Sequence, residues 1–244
     1  MNSKKRFFYS LFLCFIVLMQ GLFADSFRLV SYSILSADPT LSWEDRRLKL
    51  VERIQQCDPD VICLHDLNLD SFAFFEAALG DFEGAFAKKG NNSGEGIGTF
   101  CKRGVFAQVE HQAILCEGTS NCGCNPVQPA LLSTLCPPSS PSILLINTQM
   151  KKVEDKPSLP ILNHIQCLIE STQDRTLLVG NFKLRPDHFL IREFAAAGLH
   201  DVDASKWAHS TTGNCEIIDN LLFTSNLQCR PLDPYPIGCV ISYE

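Results

Sequence analysis

TLLVGNFKLRP, residues Thr176 to Pro186, sets four apolar side chains (Leu177, Leu178, Val179, Phe182) around Gly180 and then turns polar. A short apolar run of this kind reads as a strand buried on both faces, delivering its last side chains to a rim. The delivered side chains are Asn181 and Lys183, so these two are the first candidates for site chemistry.

Working outward, Leu159 to Ser171 reads as a helix before that strand and Asp187 to Ala197 as a helix after it, stopped by Gly198. Further upstream, Ile143 to Asn147 is another buried strand, ending in Thr148-Gln149-Met150. Near the start, Phe27 to Leu35 has strand composition, and Ser42 with Asp45 opens a helix whose stripe is Leu48, Leu50, Val51 and Ile54. Asp58-Pro59 ends that helix, and Val61-Ile62-Cys63-Leu64 forms a second buried strand carrying His65 and Asp66 to its end. Strand, helix, strand implies a parallel pair with a crossover. Phe72 to Leu79 reads as a short helix, Phe82 to Lys88 as a strand, and Ile97 to Leu115 as two more. Closing strands are expected at Ile217 to Phe223 and Ile237 to Tyr243. Cysteines and prolines concentrate between about 117 and 141, which reads as an irregular, disulfide-tied excursion.

The 244 residues, 45% of them hydrophobic, suffice for one domain with a full core. Residues 1–24 stand apart: Lys4, Lys5 and Arg6 precede an apolar run from Phe7 to Met19, and Leu22-Phe23-Ala24 offers a cleavage site before Asp25. This is the pattern of a signal peptide, with an uncleaved anchor as the alternative, and it implies export to a periplasm, cell envelope or medium. The expected domain is then 25–244. Of the 21 Lys and Arg, Lys4, Lys5 and Arg6 leave with the signal, so 18 face 27 acidic residues, a balance of −9. That charge counts against long polyanions as partners, although it does not fix how charge is distributed. Of the 12 cysteines Cys14 also leaves, and the odd remainder in an oxidising compartment implies disulfides plus a thiol that is free or paired with a protein partner. Cys63, inside an apolar strand, fits a buried reduced thiol equally well. Cys116, Cys122, Cys124 and Cys136 match no regular zinc spacing, which favours disulfides over a metal knuckle.

Several blocks together resemble the endonuclease/exonuclease/phosphatase superfamily, and the region before residue 105 is most similar to its nocturnin-type deadenylase branch. They are Arg28 to Leu35 with Trp43, Arg46 and Arg47; PDVICLHDL (Pro59–Leu67); GIGTFCK (Gly96–Lys102); INTQM (Ile146–Met150); VGNFKLRP (Val179–Pro186); IIDNLLF (Ile217–Phe223); and PLDPYP (Pro231–Pro236). The resemblance implies an α/β, four-layer sandwich of two mixed β-sheets flanked by helices, deoxyribonuclease I-like, with the site at one edge. In active members magnesium and a histidine-centred constellation hydrolyse phosphoester bonds, with hard oxygen ligands for the metal and a base for the attacking water.

Carried over position by position, the resemblance gives a substituted site. Ser33 stands for an asparagine near the metal, and Asp66 for the metal-binding glutamate, one methylene shorter. Gln149 replaces the histidine of an NTH motif and cannot titrate near neutrality. Asn181 replaces the aspartate that orients the nucleophilic water, and Lys183 replaces an asparagine. Asp219 and Asp233 match retained acids, while Pro234 stands where the catalytic histidine belongs. General acid/base chemistry of the family's kind is thereby removed.

No cofactor is expected for such a site; if the chain is active, Mg2+ is expected, with a phosphorylated small molecule or nucleic acid as substrate. His188, His200 and His209 lie near the right stretches, but lone histidines are commonly surface or capped residues. His65 is one residue from Asp66, and strand alternation points it to the opposite face. Lys151, Lys152 and Lys156 read as a solvated loop. Lys183 has two readings: an ammonium among Asp66, Asp233 and Asn181 in magnesium's place, or an exposed rim lysine. The function expected from the sequence is an exported, catalytically inactive binding or structural module; the alternative is a divergent magnesium-dependent phosphoesterase.

Overall fold

The computed structural model describes residues 26–34, 42–90, 94–116, 128–150, 159–182, 189–201, 220–224, 227–231 and 237–243. Sixteen elements follow in the order β1 (Ser26–Ser33), α1 (Trp43–Gln56), β2 (Val61–Asn68), α2 (Leu69–Ala78), β3 (Phe82–Lys88), β4 (Glu95–Lys102), β5 (Gln108–Cys116), β6 (Gln128–Cys136), β7 (Ile143–Gln149), α3 (Leu159–Glu170), β8 (Thr176–Asn181), α4 (Phe189–Ala196), β9 (Leu199–Asp201), β10 (Asn220–Thr224), β11 (Gln228–Pro231) and β12 (Ile237–Ser242). They form two six-stranded sheets, β11-β12-β1-β2-β4-β3 and β5-β6-β7-β8-β10-β9. In each sheet one central pair is parallel, β1 with β2 and β7 with β8, and the other pairs are antiparallel. The expected mixed-sheet sandwich is therefore present.

Alternation sorts each central strand between two cores. Phe27 and Leu29 of β1, Val61 and Cys63 of β2, Leu145 of β7, and Leu177 and Val179 of β8 meet between the sheets. Their neighbours turn outward. Ile62, Leu64 and Leu67 pack under α1 and α2 with Leu50, Val51, Ile54 and Phe75, while Leu144, Ile146, Leu178 and Phe182 pack with Ile165 and Leu168 of α3 and Leu190 and Phe194 of α4. Each fully buried aliphatic side chain contributes about 1.5–3 kcal/mol by leaving water. Leu48, expected in the α1 stripe, is 64% exposed, because Leu50, Val51 and Ile54 already cover the helix's inner face.

Local signals fix the ends of elements. Ser42 accepts from Asp45 N at 3.4 Å to start α1. Helix α2 begins at Leu69, earlier than expected, because Asn68 and Ser71 cap each other reciprocally. Gly198, at φ 85°, closes α4 in the left-handed conformation that glycine adopts without strain.

The excursion expected at 117–141 is corrected. Gln128 to Cys136 is the regular strand β6, paired with both β5 and β7. Leu131, Ser133 and Leu135 alternate inward, a pattern that Pro129 and the hydroxyl residues masked in the sequence. Cys136 is an unbridged thiol, as are Cys57, Cys63, Cys101 and Cys239, so the disulfide reading does not hold for these five. Cys167 on α3 is disulfide-bonded. Residues 117–127, the signal-like segment 1–24 and Lys151, Lys152 and Lys156 lie outside the described residues. Among the described residues no helix is long and apolar enough to cross a membrane.

Candidate functional site

The carboxyl ends of the two central parallel pairs, one from each sheet, face each other. Their registers place Ser33 beside His65 and Gln149 beside Asn181. Arg46 of α1 donates to Ile34 O at 3.0 Å, fixing the end of β1, and Met150 N donates to Asn181 O at 2.9 Å, fixing the ends of β7 and β8.

A β-bulge aims the acid. Leu64 pairs with Gly98 and Leu67 with Gly96, so His65 and Asp66 together oppose one residue of β4. Asp66 absorbs the extra residue at φ 57°, a left-handed conformation that aspartate tolerates better than most side chains. His65 keeps the inward direction of Val61 and Cys63, and Asp66 now shares it. The expectation from alternation, that the two point to opposite faces, is corrected by this bulge.

Four of the expected site residues converge. Ser33 Oγ donates to Asp66 Oδ2, and Gln149 Nε2 donates to Asp66 Oδ1. Asp66 N donates to Gln149 Oε1 at 3.2 Å, which fixes the orientation of that amide. Asn181 Nδ2 donates to Ser33 Oγ at 3.2 Å. These side-chain hydrogen bonds thus run, directly or through Ser33, toward the Asp66 carboxylate, and Asn181 Oδ1 is a fully buried acceptor without a hydrogen-bond partner.

Beneath this ring a second polar layer crosses between the sheets. Asn147 Nδ2 donates to Gly98 O at 2.9 Å and to Thr99 Oγ1 at 3.2 Å. Its Oδ1 therefore faces His65 Nε2 at 2.8 Å, and the histidine is the donor. Behind β7, Thr148 Oγ1 donates to Pro129 O at 2.9 Å and accepts from His164 Nε2 at 2.9 Å. Burial of His164 pushes its pKa down to about 4, so the imidazole is neutral. The sequence did not mark His164 or the His65–Asn147 latch as parts of the site. The nearest available signal was the His-Asp pair closing an apolar strand.

Lys183, Asp219, Asp233 and Pro234 lie outside the described residues, as do His188 and His209. His200, on β9, is exposed and stands edge-on to Phe223 at 6.5 Å, so it belongs to the sheet edge.

Magnesium, implied by the resemblance, takes hard oxygens, commonly one or two carboxylates with waters and phosphates. The oxygens here are of the right type. Their surroundings are not: an O–H and an N–H already point at the two Asp66 oxygens, so an approaching cation meets the positive ends of both dipoles. As arranged, these four side chains do not fit a magnesium ion. Among the described residues no three His, Cys, Asp or Glu side chains are grouped to hold a metal.

No family model matches the sequence. The chain is 29% identical over 110 residues to the CCR4-Not complex 3'-5'-exoribonuclease subunit Ccr4 of Emericella nidulans, covering 40% of this chain. It is 32% identical over 103 residues to nocturnin of Drosophila melanogaster, covering 32% of this chain. In each case the match spans 16% of the relative's length. The fold superposes on the human nocturnin catalytic domain with a TM-score of 0.68 at 21% identity, covering 91% of this chain and 95% of that one. Relatives in sequence and neighbours in structure are thus endonuclease/exonuclease/phosphatase superfamily proteins, and two mixed sheets flanked by four helices are the fold of those neighbours.

Proposed function

We propose that this chain is an exported binding module built on a phosphoesterase frame, with the metal-dependent hydrolysis of that frame lost. One observation carries the reading: the Asp66 carboxylate, the counterpart of the family's metal ligand, is closed over by the Ser33 hydroxyl and the Gln149 amide. Its neighbours support it. Asn181 is an amide and cannot take a proton from water, and Gln149 has no titration near neutrality. Pro234, at the position of the family's histidine, has neither a proton to give nor a side-chain lone pair.

The competing reading is a divergent magnesium-dependent phosphoesterase using Asp66, Asp219 and Asp233 on a phosphorylated small molecule or nucleic acid. It is favoured by the exoribonuclease named among the relatives. Calorimetric titration of Mg2+ into the full chain separates the two. The module has no saturable site tighter than about 1 mM; one magnesium per chain, lost in Asp66→Ala, supports the enzyme and removes the module.

Export rests on the basic and apolar pattern of residues 1–24 and is tested by N-terminal sequencing of the protein recovered outside the cytoplasm. A disulfide-linked protein partner would use a thiol within reach of solvent, and the half-buried, unbridged Cys136 is a candidate. Non-reducing electrophoresis then shows a crosslinked species that reductant releases; a monomer band alone removes the partner.

A further inference from the structure

We infer that strand β5, the open edge of the second sheet, is where a second copy of this chain docks, β5 against β5 and antiparallel, about a two-fold axis at Gln112. A sheet edge recruits a further strand unless it is short or carries lysine, arginine or proline. Among the described residues the two sheets have four edges, β11, β3, β5 and β9. Strand β9 has three residues, β11 has four and includes Arg230 and Pro231, and β3 ends on the exposed Lys88. Strand β5 differs from all three: it has nine residues, no lysine, arginine or proline, and Glu110 as its one acid. Strand β6 lies beside it, β3 across the sandwich and α3 behind it. On its other side no described strand pairs with it. In an antiparallel ladder alternate residues turn their N–H and C=O away from the strand already paired, so this side presents the donors and acceptors that another strand needs.

The side chains select the occupant. Val109, His111, Ala113 and Leu115 stand opposite inward-facing positions of β6 and share the inner face of the sheet. Toward the edge that face is uncovered: Ala113 is exposed and Leu115 is 51% exposed. A two-fold axis at Gln112, the midpoint of Gln108–Cys116, is the register that pairs the whole strand. It sets Leu115 against the partner's Val109 and Ala113 against the partner's His111. Gln112 meets its own copy, and its amide can both donate and accept. Glu110 meets the partner's Ile114, so no like charges oppose each other. An axis at Glu110 would instead set carboxylate against carboxylate and leave Leu115 beyond the paired region. A foreign extended segment could take the same backbone bonds, but β5 already matches itself in apolar pattern and in charge.

Sedimentation equilibrium of the full chain up to about 100 μM tests the inference. The expected result is a reversible monomer–dimer equilibrium within that range. Gln112 is exposed, so substituting it leaves the core of each copy untouched. Gln112→Lys and Gln112→Glu each set like charges about 5 Å apart across the axis and should raise the dissociation constant about 5-fold. An equimolar mixture of the two variants sets lysine against glutamate and should restore the dimer. The inference is overturned by a chain that stays monomeric at about 100 μM, which would leave the edge to a foreign segment. It is equally overturned by a dimer on which neither substitution acts, or by a mixture that associates no better than each variant alone.

Discussion

Replacing Asn147 with leucine should destabilise the protein more than its contribution to any one contact suggests, and replacing His65 at the same time should recover part of the loss. Both residues are 0% exposed, between the two sheets. Asn147 makes three hydrogen bonds, to His65 Nε2 at 2.8 Å, Gly98 O at 2.9 Å and Thr99 Oγ1 at 3.2 Å. Leucine has a similar volume, so little cavity forms, and the penalty comes from stranding the His65 N–H and the β4 acceptors. At about 1–3 kcal/mol per stranded buried group, Asn147→Leu should cost about 2–4 kcal/mol. His65→Leu strands Asn147 Oδ1 and should cost about 1–3 kcal/mol. In the double variant the shared bond is lost once, so its cost should fall short of the sum by about 1–2 kcal/mol. Urea unfolding at one fixed pH, with all four proteins extrapolated to water, gives the cycle. Additivity within about 0.5 kcal/mol would refute the claim that His65 and Asn147 couple the two sheets under the site.

Gly180→Ala would bring a Cβ to 2.7 Å from Thr148 O, a backbone atom on the parallel neighbour that cannot yield cheaply. Urea unfolding should show a loss of about 1–3 kcal/mol, and a loss under about 0.5 kcal/mol would mean that β7 and β8 are not this closely apposed. His164 is neutral when folded, with its pKa pushed down to about 4 from 6.5. The unfolded state therefore binds the proton more tightly, and the stability from His164 is complete above about pH 6.5 and lost as pH falls toward 4, about 3 kcal/mol in all. His111, lowered by its own burial, acts in the same direction, and His164→Gln should flatten most of the slope in denaturant titrations across that range. Cys63, Cys101 and Cys239 are buried, and burial raises the Cys101 thiol to about 12; iodoacetamide at pH 8 should therefore label the half-buried Cys57 and Cys136 first, as read by mass spectrometry of the native protein.

The central strands were legible because their signal is local. Val61 to Leu64 and Leu177 to Val179 are apolar on both faces, and strands covered on both sides need nothing else to be recognised. The site positions Ser33, Asp66, Gln149 and Asn181 were legible through the resemblance of whole blocks, each fixed in number from a strand end. Strand β6 was hidden because Pro129 and three polar side chains obscure its period; the strand exists because β5 and β7 bracket it. The bulge at His65-Asp66 was hidden for a different reason. It depends on β4 supplying one residue against two, and no property of VICLHDLN alone encodes its partner's count. Donor direction was hidden as well. That Gln149 turns its N–H, and not its oxygen, toward Asp66 Oδ1 follows from the Asp66 backbone N–H donating to Gln149 Oε1, a contact between residues 83 apart in sequence.

The loss of hydrolysis is tested most directly by turnover of a chromogenic phosphodiester in Mg2+ and in Mn2+, with the full wild-type chain and Asp66→Ala measured side by side. A site whose carboxylate is closed over by Ser33 and Gln149, and which has no base at Asn181 or Gln149, predicts that both proteins release product no faster than buffer with metal alone. Metal-dependent turnover by the wild type that disappears in Asp66→Ala would contradict it.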